Sequence, residues 1–163
     1  MMIGLNTDGC SRHNGTISTG RGLLQDAYGN VIFCFSNFYG PCTILEAETR
    51  ALMDGIKWCL QRDFYHIEAE IDFLILFKKI QELAKSPWIV DSMVQKIKYC
   101  KNLCQFKLSH IFRESNAVAD FFKNEAFIQR RSRIYSNLDI PQAAKGLIRL
   151  YQMGCHYFRV CNA

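Results

Sequence analysis

No apolar run in this chain approaches the roughly 20 residues that a membrane-spanning helix needs. The stretch from Met1 to Asp8 also lacks the basic segment followed by an apolar one that marks a secretory leader. The expectation is an intracellular protein with no membrane partner, nucleus and cytoplasm being left open. No CxxC pair occurs among Cys10, Cys34, Cys42, Cys59, Cys100, Cys104, Cys155 and Cys161. The usual zinc-ligand spacings are therefore missing, and without a secretory signal a disulfide framework is not expected. Free cysteines within apolar stretches read as small hydrophobes. P-loop and GxSxG motifs are absent as well, which removes support for nucleotide hydrolysis and serine hydrolase chemistry. The chain has no internal repeat and no low-complexity segment.

What is present suits one domain with a real core: 163 residues, 49% hydrophobic and 21% charged. The net charge of +5 is compatible with a polyanionic partner without requiring one. The first third reads as strands. Ile3 and Leu5 alternate with polar neighbours up to Asp8, and a polar Gly- and Ser-rich stretch runs from Gly9 to Gly20. Two strands follow, Gly22 to Gln25 and Val31 to Tyr39, joined as a hairpin by the turn residues Asp26-Ala27-Tyr28-Gly29-Asn30.

The period then changes. Thr43 and Glu46 form a capping box that opens a helix from Ile44 to Arg62, with Leu45, Leu52, Ile56 and Cys59 at helical spacing. A strand from Tyr65 to Ile71 follows, then a helix from Phe73 to Leu83, a break at Ser86-Pro87, and a helix from Trp88 to Cys100. Gln105 to His110 reads as a fifth strand and Asn116 to Arg131 as the helix after it. The order βββαβααβα predicts an α/β fold, a five-stranded mixed sheet with helices on its faces. This domain spans residues 1–130. A tail of residues 131–163 carries a short helix from Pro141 to Met153, with proline at its start and Gly154 past its end.

Three carboxylates stand out. Glu48 lies on the same helical stripe as Leu45, Leu52 and Ile56, where a carboxylate is costly unless paired or bound to metal; an escape to solvent near the helix start is the alternative. Asp8 closes the first strand and Asp72 the fourth. Strand-end carboxylates build ligand sites in α/β folds, but they also serve turns, and Asp72 would equally cap the helix from Phe73.

Taken together, Leu5-Asn6-Thr7-Asp8-Gly9, Ala47-Glu48-Thr49-Arg50-Ala51-Leu52, Glu70-Ile71-Asp72 and the segment from His110 to Asp120 resemble the ribonuclease H family. The likeness is greatest to the ribonuclease H-like domains of plant genomes and retroelement polyproteins, and it covers roughly Ile3 to Ile128. It implies that Asp8, Glu48, Asp72 and Asp120 hold two Mg²⁺ ions, with Mn²⁺ able to substitute. It also implies an endonuclease that cuts the RNA strand of an RNA–DNA hybrid; the oligomeric state is left open, with a monomer favoured. His110 stands at the position of the family's mobile histidine, which implies proton transfer or help with product release; a histidine bonded locally at a strand end is the alternative. Asn14, Gly15 and Asn116 fall where the family contacts substrate, and Asn116 most simply caps the final helix.

The loop after Asp8 departs from the family pattern. Gly15 stands at the usual proline, Thr16 and Thr19 at usual glycines, and Phe73 where a serine commonly follows the aspartate. Metal binding tolerates these changes better than hybrid recognition does, because a β-branched residue cannot supply a glycine's backbone freedom. A competing reading is a non-catalytic nucleic-acid-binding module with the same fold. Lys78, Lys79, Lys96, Lys98, Lys101 and Lys107 could line a phosphate path or simply be solvated. Phe112, Trp88 and Tyr39 would offer stacking surfaces if exposed, but are expected in the core.

Overall fold

A computed structural model describes residues 1–112, 122 and 126–152. Three strands come first: β1 (Met2–Arg12), β2 (Ile17–Gln25) and β3 (Val31–Gly40). Helix α1 (Ile44–Leu60), strand β4 (His66–Ile71), helices α2 (Leu74–Ile80) and α3 (Trp88–Leu103) and strand β5 (Gln105–His110) follow. Residues 126–129 are helical, and β6 (Arg133–Ser136) and α4 (Gln142–Gln152) close the described chain. The strands form one sheet in the order β5-β4-β1-β2-β3-β6. β1 pairs in parallel with β4, and β4 with β5, while the other neighbours are antiparallel.

The mixed α/β architecture agrees with the expectation, but the sheet has six strands rather than five. The sixth, β6, comes from the segment read as tail and pairs with β3 from Phe33↔Ser136 to Ser36↔Arg133. Four residues with an arginine at the start give too short an alternation to be read as a strand. The Gly- and Ser-rich stretch is also mostly strand: Gly9 to Arg12 belong to β1 and Ile17 to Gly20 to β2, leaving a tight turn between.

Adjacent strand residues point to opposite faces, and two cores form accordingly. Leu24, Phe33 and Phe35 join Ile3, Leu5, Leu52, Ile56, Ile67, Ile71, Leu76, Val94 and Ile97 on the face covered by α1, α2 and α3. Leu23 and Cys34 pack with Phe122, Tyr135, Ile140, Ala144 and Ile148 on the other. Each fully buried Leu, Ile or Phe contributes roughly 1.5–3 kcal/mol, so the larger cluster fixes α1 on the sheet. Buried within these cores, the Cys34 and Cys59 thiols are pushed up to about 12, and as neutral thiols they act as core residues. The six described cysteines are all unbridged.

Helix α1 starts as the capping box requires. The Glu46 amide donates to Thr43 Oγ1 at 3.2 Å, and the Thr43 amide donates to Glu46 Oε2 at 2.8 Å. Glu46→Ala removes half of this exchange and should cost about 1 kcal/mol, read as a lowered midpoint of urea unfolding. An unchanged midpoint would mean that the Thr43 hydroxyl suffices alone.

Candidate active site

The parallel register between β1 and β4 aligns two of the predicted carboxylates. Thr7 stands opposite Ile71, so Asp72, the next residue after β4, lies beside Asp8. Asp72 is not a helix cap: α2 begins at Leu74 with Phe73 at its N-cap and no side-chain cap bond.

Glu48 arrives from above the sheet. It is 1% exposed, which settles the choice between buried stripe and solvent. Two glycines let α1 come close enough. A Cβ on Gly9 would lie 2.6 Å from Glu48 Cα, and one on Gly55 would lie 2.7 Å from Leu5 Cδ1. Side chains at either position would hold helix and strand apart. The outcome is that Asp8, Glu48 and Asp72 each offer a carboxylate oxygen within 4.8 Å of the others, with Asp8 and Glu48 buried. Among the described residues this is the one group of acidic, His or Cys side chains so gathered.

Such a set fits a divalent cation. The donors are hard oxygens, as Mg²⁺ prefers, and like charges this close and this dry repel one another unless a cation lies among them. Part of that cation charge is already present. Arg21 faces Asp8 across the β1–β2 ladder and forms an ion pair with it, the two side chains being 3% and 7% exposed. The sequence reading missed Arg21. An isolated arginine between Gly20 and Gly22 resembles a solvent-facing loop residue; only the strand register brings it to Asp8.

The turn between β1 and β2 is tight. His13, Asn14 and Gly15 all take positive φ, at 50°, 55° and 90°. The Gly15 amide donates to the Arg12 carbonyl at 3.2 Å, and the Thr16 amide to that of His13 at 3.3 Å. Thr16 has no positive φ and adds a hydroxyl bond to the His13 carbonyl at 3.0 Å. Its β-branch is therefore unstrained, as is that of Thr19, which lies buried within β2 opposite Cys10. The turn is tied to the start of α1, because the hydroxyls of Ser11 and Ser18 both donate to the Cys42 carbonyl, at 2.9 and 2.7 Å.

Other expected site residues are placed differently. His110 ends β5 opposite Ile71, at the same end of the sheet as Asp72. It is not a member of the carboxylate group; its ring lies 6.0 Å from that of Phe77 and 6.1 Å from that of Phe112. Asp120 and Asn116 lie outside the described residues. Of the six lysines, Lys79 is buried and its ammonium donates to the Lys85 carbonyl, so it lines no surface path. Lys98 pairs with Glu82 at 3.1 Å and Lys107 with Glu68 at 3.7 Å.

Trp88 and Phe112 are exposed, at 87% and 77%, against the expectation that they are core. Each flanks an element rather than lying on its inner stripe: Trp88 is the first residue of α3 and Phe112 follows β5. Tyr39 is partly buried and ties β3 to α1. Its hydroxyl and the Asn37 amide both donate to Asp54 Oδ2 at 2.8 Å. Burial, reinforced by the Asp54 carboxylate, raises the Tyr39 phenol well above its ordinary value.

Comparison with known proteins adds a family to this geometry. The family model described as "Reverse transcriptase-like" matches residues 6–126. A ribonuclease H protein of Arabidopsis thaliana is 26% identical over 157 residues, covering 93% of this chain but 24% of the relative. The chain thus spans about a quarter of that relative's length. Among solved structures, a compost-derived ribonuclease H1 bound to an RNA/DNA hybrid superposes with a TM-score of 0.72 at 26% identity, over 78% of this chain and 98% of that one. The N-terminal RNase H domain of a Mycobacterium tuberculosis protein has the same fold, with a TM-score of 0.73 at 17% identity over 78% of this chain and 94% of that one.

Proposed function

Because the chain belongs to the reverse transcriptase-like family of ribonuclease H-like domains, we propose that it is a metal-dependent endonuclease that hydrolyses the RNA strand of RNA–DNA hybrids. The observation that carries the reading is the convergence of Asp8, Glu48 and Asp72, from three separate elements, within 4.8 Å of one another. Structural carboxylates rarely gather in this way, since each desolvated charge raises the cost of the next.

Asp8, Glu48, Asp72 and Asp120 would hold two divalent ions, whose chemistry is Lewis-acid activation of water and neutralisation of charge at the scissile phosphate. The chain's own residues do the positioning. β1 carries Asp8, Asp72 follows directly on the neighbouring β4, and α1 brings Glu48 onto them. The turn at Asn14 and Gly15, held to α1 through the Cys42 carbonyl, offers its backbone to the RNA strand, where a 2′-hydroxyl distinguishes RNA from DNA. Asn116 serves the same strand. His110, at the shared end of β4 and β5, takes the proton-transfer or product-release role. The hybrid bound by the compost ribonuclease H1 is the precedent for this substrate class.

A gel assay of the purified chain on a labelled RNA–DNA hybrid tests the proposal. The RNA strand should be cut in Mg²⁺ and spared in EDTA, and double-stranded DNA should be untouched. Binding of the hybrid without cleavage in Mg²⁺ or Mn²⁺ would overturn the enzyme reading in favour of a nucleic-acid-binding module.

A further inference from the structure

The ion pair between Arg21 and Asp8 has a consequence for metal binding, and it rests on the reading of the carboxylates as a metal site. Asp8, Glu48 and Asp72 bring three negative charges together, and the Arg21 guanidinium supplies one positive charge against the first of them. Arg21 has no freedom to leave for solvent cheaply. It is 2% exposed, sits opposite Asp8 in the strand register, and is flanked by Gly20 and Gly22 on a fully buried stretch of β2.

We propose that Arg21 is a tethered cation that competes with divalent metal for the Asp8 carboxylate, lowering the affinity of the site and stabilising the fold when metal is absent. A guanidinium is always charged and holds a carboxylate by fixed, directional N–H donors, so it contends for the very oxygens a metal needs. A metal that ligates Asp8 has to displace the guanidinium or share the carboxylate with it. Either way the two cations repel across a dry site, and the coupling is reciprocal: metal loosens the arginine as much as the arginine weakens metal. Arg21 is thus a determinant of metal affinity rather than a catalytic residue.

The test compares wild type with Arg21→Met, which keeps much of the length and loses the charge. Mg²⁺ affinity by calorimetry should rise roughly tenfold or more in the variant, within the range typical of coupled sites. The thermal midpoint of the variant should be lower than that of wild type in EDTA and recover as Mg²⁺ is added, since a ligand that binds only the folded state stabilises it. A second measurement needs no variant: the Arg21 side-chain Nε–Hε resonance of the wild-type protein should shift as Mg²⁺ is titrated, saturating with the binding isotherm. Equal affinities in the two proteins, or a resonance that stays fixed while Mg²⁺ binds, would overturn the role of Arg21 and leave the metal site standing. Absence of Mg²⁺ binding by both proteins would overturn the metal reading itself, and this inference with it.

Discussion

Asp8→Asn and Glu48→Gln should both end hybrid cleavage, yet they should move stability in opposite directions. Each substitution removes one of the gathered negative charges and so relieves repulsion among the carboxylates. For Glu48→Gln that relief leads, and stability in EDTA should hold level or rise. Asp8 has a second role, because its carboxylate faces the buried guanidinium of Arg21. Breaking a buried ion pair from one side costs about 3–5 kcal/mol, since the remaining charge loses its counter-ion without regaining water. Set against the relief, Asp8→Asn should be destabilised by roughly 2–3 kcal/mol. Urea unfolding in EDTA separates the two variants. Equal midpoints would show that Arg21 finds equivalent compensation elsewhere, and cleavage by either variant would remove that residue from the site.

The second large effect is predicted at Gly9, a residue with no chemistry of its own. A methyl group there would enter the backbone of α1 at Ala47 and Glu48, which cannot rotate away as a side chain could. Gly9→Ala should therefore cost roughly 3 kcal/mol, towards the top of the usual range for overpacking. It should also cut cleavage about a hundredfold, the order expected when a catalytic group is misplaced by about 1 Å. Gly146→Ala is the matched comparison. That glycine sits in α4 with open space where its Cβ would go, so alanine should stabilise by about 0.5–1 kcal/mol and leave cleavage alone. Thermal melts and initial cleavage rates measure both. A Gly9→Ala protein that melts and cuts like wild type would show that the distance between α1 and β1 is not critical.

The carboxylates were legible in the sequence because each broke a pattern that the fold otherwise obeys. Glu48 interrupts an apolar helical stripe, and Asp8 and Asp72 end apolar alternations. Arg21 obeys no such pattern. The stretch from Gly9 to Gly20 looked like loop because Gly, Ser and Thr carry little of the apolar alternation by which a strand is recognised. Its small residues are strand nonetheless, since at Gly9 the sheet has to admit a helix backbone rather than fill a gap. The register that carries Arg21 to Asp8 was lost with that stretch. β6 was hidden for a different reason: its buried residue, Tyr135, meets partners such as Leu23 and Cys34 about a hundred positions earlier, and no local window contains them. The exposure of Trp88 and Phe112 depends on where an element ends, which sequence period does not fix.

The strand order also sets a timetable for folding. β1, β2 and β3 are consecutive in sequence and pair by short reversals, so they can form a sheet among themselves at small loop-closure cost. The other edge of β1 waits for β4, which arrives by a parallel crossover through α1, with closure spanning Met2 to His66 at one end of the ladder. Non-local parallel pairings of this kind are slow relative to hairpins. Asp8 and Arg21 both belong to the early meander and can pair within it, whereas Glu48 and Asp72 come with the crossover. A refolding chain therefore holds its arginine-bound aspartate before it holds a metal site. In a stopped-flow experiment, affinity for a fluorescent lanthanide such as Tb³⁺ should appear only with the final kinetic phase, after most of the strand signal has already developed.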